Sequence, residues 1–271
     1  MRILERFFNF YITSSLHVAL ACISLVYLSF LQVQVVPDVA FLWFSLGLAI
    51  SGYNFVKYIP ALIQHFHTDY YKRNRGILYF SMFVIILTSL LFLQLSFPKY
   101  YILFPFLLLT FMYVFPLSGT CKNLRTIPGI KIVIVAIVWV GITYIVPVFY
   151  MNVVTMLSFM EIFQRFLLIL ILMIPFEIRD LSEDQEFLQT LPQAVGIFSS
   201  KKIGYVLVFL FLMLSFAQYV WEAQKCLPDV LMAIVLFFSL KYTKKTQSNY
   251  YSSFWVEGIP ILYVVLWKFL P

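Results

Sequence analysis

Long apolar runs alternate with short polar segments along the whole chain. A helix that crosses a membrane needs about 20 mostly apolar residues, and its backbone polar groups must be hydrogen-bonded within the segment. The pattern therefore predicts an all-α polytopic membrane bundle of about nine transmembrane helices, in a single domain over residues 1–271. The nine runs lie near Phe8–Leu31, Val39–Ile59, Ile77–Phe97, Tyr100–Pro116, Ile130–Phe149, Ile162–Ile178, Ile203–Val220, Leu227–Leu240 and Phe254–Leu270.

The composition supports this interpretation and excludes other classes of protein. Hydrophobic residues make up 62% of the chain and charged residues only 11%, against roughly 45–50% and 25% in soluble domains. The mean hydropathy is +0.92. The three cysteines are far apart, so neither a disulfide framework nor a zinc site is indicated. An ordinary soluble enzyme, a disordered chain and a small disulfide-rich domain are excluded.

Positive charge is concentrated in alternate loops. The net charge is +7, and cytoplasmic loops of membrane proteins carry an excess of Lys and Arg. We therefore expect an integral, multi-pass protein of an inner or plasma membrane with a cytoplasmic N-terminus, facing anionic membrane lipid and no nucleic acid. The residues on the predicted cytoplasmic side, fifteen of the 19 basic residues, are Arg2, Arg6, Lys57, Lys72, Arg73, Arg75, Lys122, Arg125, Lys131, Arg179, Lys201, Lys202, Lys241, Lys244 and Lys245.

Acidic residues cluster just after the sixth apolar run. Glu177, Asp180 and Asp184 are spaced by three and four residues, so they project from one face if the helix continues there. Mg²⁺ prefers oxygen ligands and is commonly held by one or two carboxylates together with substrate phosphates. The spacing indicates a Mg²⁺ and diphosphate site with these three residues as ligands, and the alternative is a solvated helix face.

The acidic segment also resembles a known motif. Asp180-x-x-x-Asp184, followed by Thr190, Pro192 and Gly196, resembles the second aspartate-rich motif of the UbiA superfamily of intramembrane prenyltransferases. The resemblance implies a UbiA-like fold in which Asp180 and Asp184 are the catalytic, metal-binding pair. It also implies that a prenyl group is transferred from an isoprenyl diphosphate to a lipophilic acceptor held at the membrane.

A second likeness lies in the loop after the fourth run. Tyr113-x-x-Pro116 and Lys122-x-x-Arg125 resemble the Tyr-Pro and Lys/Arg elements of that family. The resemblance implies that Lys122 and Arg125 bind the diphosphate. The pair Glu257-Gly258, which opens the last helix, matches the family layout as well.

The first aspartate-rich motif of the family is degenerate in this chain. Asn54 matches the leading Asn, but Phe55 and Tyr58 stand where the first two carboxylates are expected, and a cation, Lys57, lies between them. The resemblance implies that Asn54 orients a ligand, and Lys57 is a candidate phosphate contact.

Three functions remain open on these grounds. The intact Asp-x-x-x-Asp favours a prenyltransferase, whereas the degenerate first motif favours a non-catalytic relative that binds lipid or isoprenoid without turnover. A small-molecule carrier would require ionisable residues deep in several spans, and the predicted spans carry almost none.

Overall fold

The computed structural model describes residues 2–64, 69–95, 100–115, 123–182, 188–220, 222–248 and 250–270. These described residues are 85% helical and include no strand. The α-helices are α1 (Arg2–Thr13), α2 (Leu16–Gln32), α3 (Val39–Gln64), α4 (Asp69–Gln94), α5 (Phe104–Val114), α6 (Lys131–Val140), α7 (Val146–Tyr150), α8 (Met156–Asp180), α9 (Leu191–Gln218), α10 (Leu227–Tyr242) and α11 (Ile259–Phe269). Turns of π-helix precede α7 (Gly141–Ile145) and α11 (Tyr251–Val256).

Five helical segments in the described chain are long and apolar enough to cross a membrane, which is consistent with a helical membrane bundle. A sixth span results if the bent pair α1 and α2 is counted as one. The helices α5, α10 and α11 are apolar but shorter. The five segments are Val39–Ile63, Tyr70–Gln94, Lys131–Tyr150, Leu157–Asp180 and Leu191–Gln218.

The first predicted span, Phe8–Leu31, is not one straight helix. It breaks between α1 and α2 with a bend of 55°. Ser15 adopts φ 63°, in the left-handed region, which an α-helix of L-residues cannot accommodate. The chain therefore turns at the polar pair Ser14 and Ser15.

Helix α9 begins at Leu191, twelve residues before the predicted start at Ile203, so the loop predicted around Lys201 and Lys202 is wrong. Lys201 Nζ donates to the carbonyl oxygens of Thr243, at 2.5 Å, and Lys241, at 3.1 Å. These carbonyls lie at the end of α10, where a helix leaves them without backbone donors. Lys201 and Lys202 therefore lie within a helix rather than in a loop.

Helix α8 occupies the centre of the bundle. Leu168, Ile171 and Ile174 recur along its buried face and pack in one apolar cluster with α9, α10 and α11. Gly204 of α9 allows close contact there, because a Cβ atom would lie 2.7 Å from Leu240 and 3.1 Å from Ile174. Small residues and close packing are what hold helices together in a bilayer.

A π turn joins α6 to α7 ahead of Pro147. Pro147 has no backbone N–H, so the Thr143 carbonyl lacks its usual i+4 helical donor. The Ser29 hydroxyl of α2 donates to that carbonyl at 2.7 Å instead. The turn thereby attaches α2 to the α6–α7 segment.

Asp38 caps the start of α3. Its Oδ1 accepts hydrogen bonds from the Ala40 and Phe41 amides at 2.8 and 3.2 Å, and the Tyr150 hydroxyl donates to the other oxygen. The hydrogen bond from Tyr150, together with those from the amides, holds the pKa of the Asp38 carboxyl below its ordinary value. Asp38 therefore links α3 to the end of α7.

Candidate functional site

A cavity of about 310 Å³ lies in the bundle between α2, α3, α5, α6, α8 and the start of α11. This volume is at the lower end of the range for small-molecule sites. The wall is almost wholly apolar and aromatic, and includes Val56, Ile169, Leu172, Met173 and Phe176. Such a lining suits the hydrocarbon part of a lipophilic ligand.

Two polar groups stand out in the cavity wall, Glu257 and Tyr53. Glu257 lies where the π turn Tyr251–Val256 meets α11. Tyr53, on α3, accepts a hydrogen bond from Trp139 Nε1 at 2.5 Å. The sequence pattern alone predicts no site at either residue. An acidic residue within the last apolar run was the available signal, since carboxylates at membrane depth are often functional.

One end of the cavity, here called the mouth, is surrounded by charged side chains. Asp180 lies one helical turn beyond the cavity-lining Phe176 on α8, and Lys57 lies one turn beyond Tyr53 on α3. Lys57 Nζ donates to the Thr13 carbonyl at 3.2 Å. The structure thus brings Lys57 and Asp180, two residues assigned from sequence to one site, to the same end of the bundle.

Arg179 neutralises Asp180 in the described structure. Arg179 Nε donates to Asp180 Oδ1 at 2.7 Å, and Nη2 donates to Oδ2 at 3.2 Å. This planar, two-pronged contact engages both carboxylate oxygens. A Mg²⁺ ion on Asp180 would have to displace the Arg179 guanidinium, so the carboxylate as it stands does not fit a metal ligand.

Glu177 is buried, and it supports the neighbouring helix. Its Oε2 accepts a hydrogen bond from the Leu191 amide at 3.1 Å, which is one of the amides at the start of α9 that lack a helical acceptor. The predicted partners Asp184 and Lys122 lie outside the described residues. In the described part of the chain, no group of three or more His, Cys, Asp and Glu side chains comes together.

Asn54 lies in the protein interior and is absent from the cavity wall. Its Nδ2 donates to the Ser14 carbonyl at 3.1 Å and to Ser81 Oγ at 2.9 Å. It therefore ties the bend between α1 and α2 to α4.

The carboxylate positions of the degenerate motif hold packed side chains. Tyr58 is buried, and its hydroxyl donates to the Thr13 carbonyl at 2.7 Å. The Phe55 ring packs against Phe115, with ring centroids 5.9 Å apart. Leu62 occupies the third position.

The two loops that resemble the family motifs meet. Arg125 is exposed in a 3₁₀ turn, Leu124–Thr126, which follows α5. A few residues on, the Gly129 amide donates to the Leu188 carbonyl at 3.2 Å. Leu188 follows the acidic segment directly, so Arg125 belongs to the same end of the bundle as Asp180.

The Thr-x-Pro and Gly elements shape the start of α9. Thr190 precedes the helix, and its amide donates to Gln193 Oε1 at 2.9 Å. Pro192 lies in the first turn, where its missing N–H has no cost. Gly196 interrupts the helix with φ 81°, a conformation that favours glycine. These residues position α9 next to Glu177.

A second polar cluster lies at the other end of α8, about 25 Å from Asp180 along the helix. Arg165 is buried and donates to the Leu25 carbonyl at 2.8 Å and to Gln32 Oε1 at 2.9 Å. Glu161 accepts from Gln32 Nε2 at 2.6 Å and from the Tyr219 hydroxyl at 2.8 Å. The sequence pattern places Arg165 outside the cytoplasmic loops but does not predict that it is buried.

Asp229 of α10 completes this cluster. It accepts hydrogen bonds from Gln164 Nε2 at 2.9 Å, the Tyr263 hydroxyl at 2.6 Å and Trp267 Nε1 at 3.0 Å. The expectation that the spans carry almost no ionisable residues is therefore wrong. Hydrogen bonds from neighbouring helices satisfy these charges, as buried polar groups require.

The described residues form a bundle of helices, several of them apolar enough to cross a membrane, around an apolar cavity large enough for a small ligand. Comparisons of the chain with protein-family models, with curated proteins and with solved structures gave no match.

Proposed function

We propose that this protein is a UbiA-like intramembrane prenyltransferase that moves a prenyl group from an isoprenyl diphosphate to a lipophilic acceptor. The prenyl chain lies in the central cavity and the diphosphate lies at the mouth. The observation that supports this most directly is the apolar cavity whose mouth carries Lys57 and Arg179. An apolar space beneath cations is complementary to an amphiphile with an anionic head.

The charged groups of the mouth suit a diphosphate. The Arg179 guanidinium has a planar fork that matches phosphate oxygens, and Lys57 adds a compact point charge. Arg125, and Lys122 by sequence, supply further cations from the adjoining loop. Asp180 and Glu177, with Asp184 by sequence, would hold Mg²⁺ only if the Arg179 guanidinium left Asp180, and the ion would then offset charge on the diphosphate.

The second candidate is a non-catalytic relative that binds the same ligand without turnover. The pairing of Arg179 with Asp180 and the packed side chains at Phe55 and Tyr58 favour it. Both candidates share ligand binding, and only the first forms a prenylated product.

Binding is tested by filling the cavity. Gly52 lines it, and a Cβ atom there would meet no atom within 4 Å. Gly52→Leu places a side chain in the space of the prenyl chain, so we expect binding of radiolabelled isoprenyl diphosphates to fall at least about tenfold, the equivalent of 1.4 kcal/mol. The matched control is Gly76→Leu, because Gly76 is also unobstructed but lies outside the cavity wall.

Transfer is tested with the same purified protein, Mg²⁺ and a membrane lipid extract. A prenylated product that is lost in Asp180→Ala supports the transferase. Saturable binding that is sensitive to Gly52→Leu but yields no product supports the non-catalytic relative. The absence of any saturable binding contradicts both.

A further inference from the structure

Glu257 is an acidic side chain in the wall of an apolar cavity, yet no described residue hydrogen-bonds or ion-pairs with its carboxyl group. The nearby cations are engaged elsewhere: Lys57 donates to the Thr13 carbonyl, and Arg179 pairs with Asp180. They act on Glu257 only through their longer-range field. Placing an ionisable group in apolar surroundings without a hydrogen-bond partner costs free energy of folding. The Glu257 carboxyl group is therefore available to accept a hydrogen bond from a ligand.

Tyr53 supplies the complementary donor. Its phenol oxygen accepts from Trp139 Nε1, and no described residue accepts the phenol's own proton. Tyr53 and Glu257 both line the cavity. The wall of this one cavity therefore presents an unused donor and an unused acceptor.

The class of ligand follows from this pair and its surroundings. The positive potential of Lys57 and Arg179 disfavours a cationic head, and an anionic head would lie at the mouth against those cations rather than beside the Glu257 carboxyl group. A hydroxyl group is neutral, accepts one hydrogen bond and donates another. It therefore satisfies Tyr53 and Glu257 at the same time, while the apolar wall accommodates a hydrocarbon chain.

We propose that the cavity holds a lipophilic alcohol whose hydroxyl group accepts a hydrogen bond from Tyr53 and donates one to Glu257. This inference rests on the proposed function, because it takes the acceptor of the prenyl group to be a lipophilic alcohol. Its binding requires no transfer, so the two are separable by experiment.

The test uses a medium-chain alcohol brominated near its head group, and the methyl ether of the same compound, which accepts but cannot donate. Trp139 lines the cavity beside Tyr53, so bound bromine quenches its fluorescence, and Trp139→Phe identifies that signal. We expect the protein to bind the alcohol about tenfold more tightly than the ether, since the ether leaves Glu257 without a hydrogen bond.

The variants Glu257→Leu and Tyr53→Phe distinguish this role from a structural one. Replacing an unpaired, half-buried acid by an apolar residue should leave the melting temperature unchanged or higher. Glu257→Leu should nevertheless reduce the preference for the alcohol to less than about threefold, and Tyr53→Phe should weaken binding of the alcohol and the ether alike. The matched control is Glu222→Leu, an exposed acid outside the cavity wall, which should keep the tenfold preference.

Equal binding of alcohol and ether overturns the inference, and so does a preference that persists in Glu257→Leu. Binding of isoprenyl diphosphate is measured on the same preparations. Preference for the alcohol without diphosphate binding contradicts the proposed function alone, whereas diphosphate binding without that preference contradicts this inference alone.

Discussion

At the scale of single residues, the buried charges of this bundle fall into two groups. Asp229 accepts three hydrogen bonds from side chains of α8 and α11. Glu257 has no such partner among the described residues, and it faces the cavity. A carboxyl group of the first kind stabilises the fold, whereas one of the second kind is available to a ligand.

This distinction predicts opposite effects on stability. Asp229→Ala leaves the donors of Gln164, Tyr263 and Trp267 buried without an acceptor, at a cost of about 3 kcal/mol or more. We expect a large fall in the thermal unfolding temperature of the detergent-solubilised protein. Asp229→Asn keeps a carbonyl oxygen for Tyr263 and Trp267 and should lose less.

Glu222→Ala serves as the control for Asp229→Ala. Glu222 is exposed and pairs only with Lys225 on the surface, and exposed ion pairs contribute little. An Asp229→Ala protein as stable as Glu222→Ala would contradict the assignment of Asp229 to the stabilising group.

The residue types in these sites were visible in the sequence, but their roles were not. Asp180, Glu177 and Lys57 were assigned to one site from spacing and family likeness, and the structure places Asp180 and Lys57 at one end of the bundle. That Arg179 engages Asp180 depends on side-chain geometry, which spacing along the chain does not specify. In the sequence, Glu257 was only part of a pair that matches the family layout. Its place in the cavity wall depends on five other helices, which the sequence does not position.

At the scale of elements, the start of α9 shows how the acidic segment supports the fold. Glu177 of α8 accepts from the Leu191 amide, while Gln193 accepts from the Thr190 amide. A helix start has backbone amides without helical acceptors, and side chains must satisfy them when the start is buried. Glu177 therefore connects α8 to α9 whether or not it binds a metal.

This role gives a prediction that separates capping from metal binding. Glu177→Gln keeps an oxygen that accepts from the Leu191 amide, so the unfolding temperature should stay near that of the parent. Glu177→Ala removes the acceptor and should cost about 1–2 kcal/mol, as the loss of a helix cap does. Thermal unfolding of both variants measures this.

The same pair of variants reports on the metal. If Glu177 is a Mg²⁺ ligand, Glu177→Gln reduces Mg²⁺-dependent turnover in a protein of unchanged stability. Equal destabilisation by Gln and Ala would contradict the capping role.

The positions of α9 and α10 also explain an error of sequence interpretation. From the sequence, Lys201 and Lys202 are expected in a loop, because charged side chains are costly within a transmembrane helix. Lys201 reaches the carbonyls at the end of α10, and Lys202 lies over the Phe198 ring at 4.5 Å. A long basic side chain can lie along a helix and place its charge several ångströms from its own backbone. The inclusion of Lys201 in α9 therefore depends on its contact with α10.

At the scale of the whole molecule, the charged ends of the bundle are separated by the length of α9. Gly196 breaks the helix, and residues 197–218 beyond the break span about 33 Å, which exceeds a hydrocarbon core of about 30 Å. The contact between Gly129 and Leu188 places the loop of Arg125 near the start of α9. The contacts of Lys201 place the end of α10 there as well.

This arrangement predicts the sidedness of three exposed positions. In a variant with the three native cysteines replaced by serine, Arg125→Cys and Lys244→Cys should react with a membrane-impermeant thiol reagent from the same side. Glu222→Cys, in the turn between α9 and α10, should react only from the opposite side. The excess of Lys and Arg predicts that the first side is the cytoplasmic one.

Labelling of intact cells and of inverted vesicles measures this directly. Reaction of Glu222→Cys and Lys244→Cys from one side would contradict a membrane crossing by α10, and reaction of Arg125→Cys and Glu222→Cys from one side would contradict a crossing by α9.

The sequence by itself determined that this chain is helical and that several of its helices are long and apolar enough to cross a membrane. Helix length and hydropathy are local properties of the chain. It also identified the acidic segment and the basic loops. The tertiary structure alone decided which polar groups of separate helices come together: Glu177 with the start of α9, Lys201 with the end of α10, and Tyr53 and Glu257 in one cavity wall. Those meetings depend on how separate helices pack, and packing brings together residues that lie far apart along the chain.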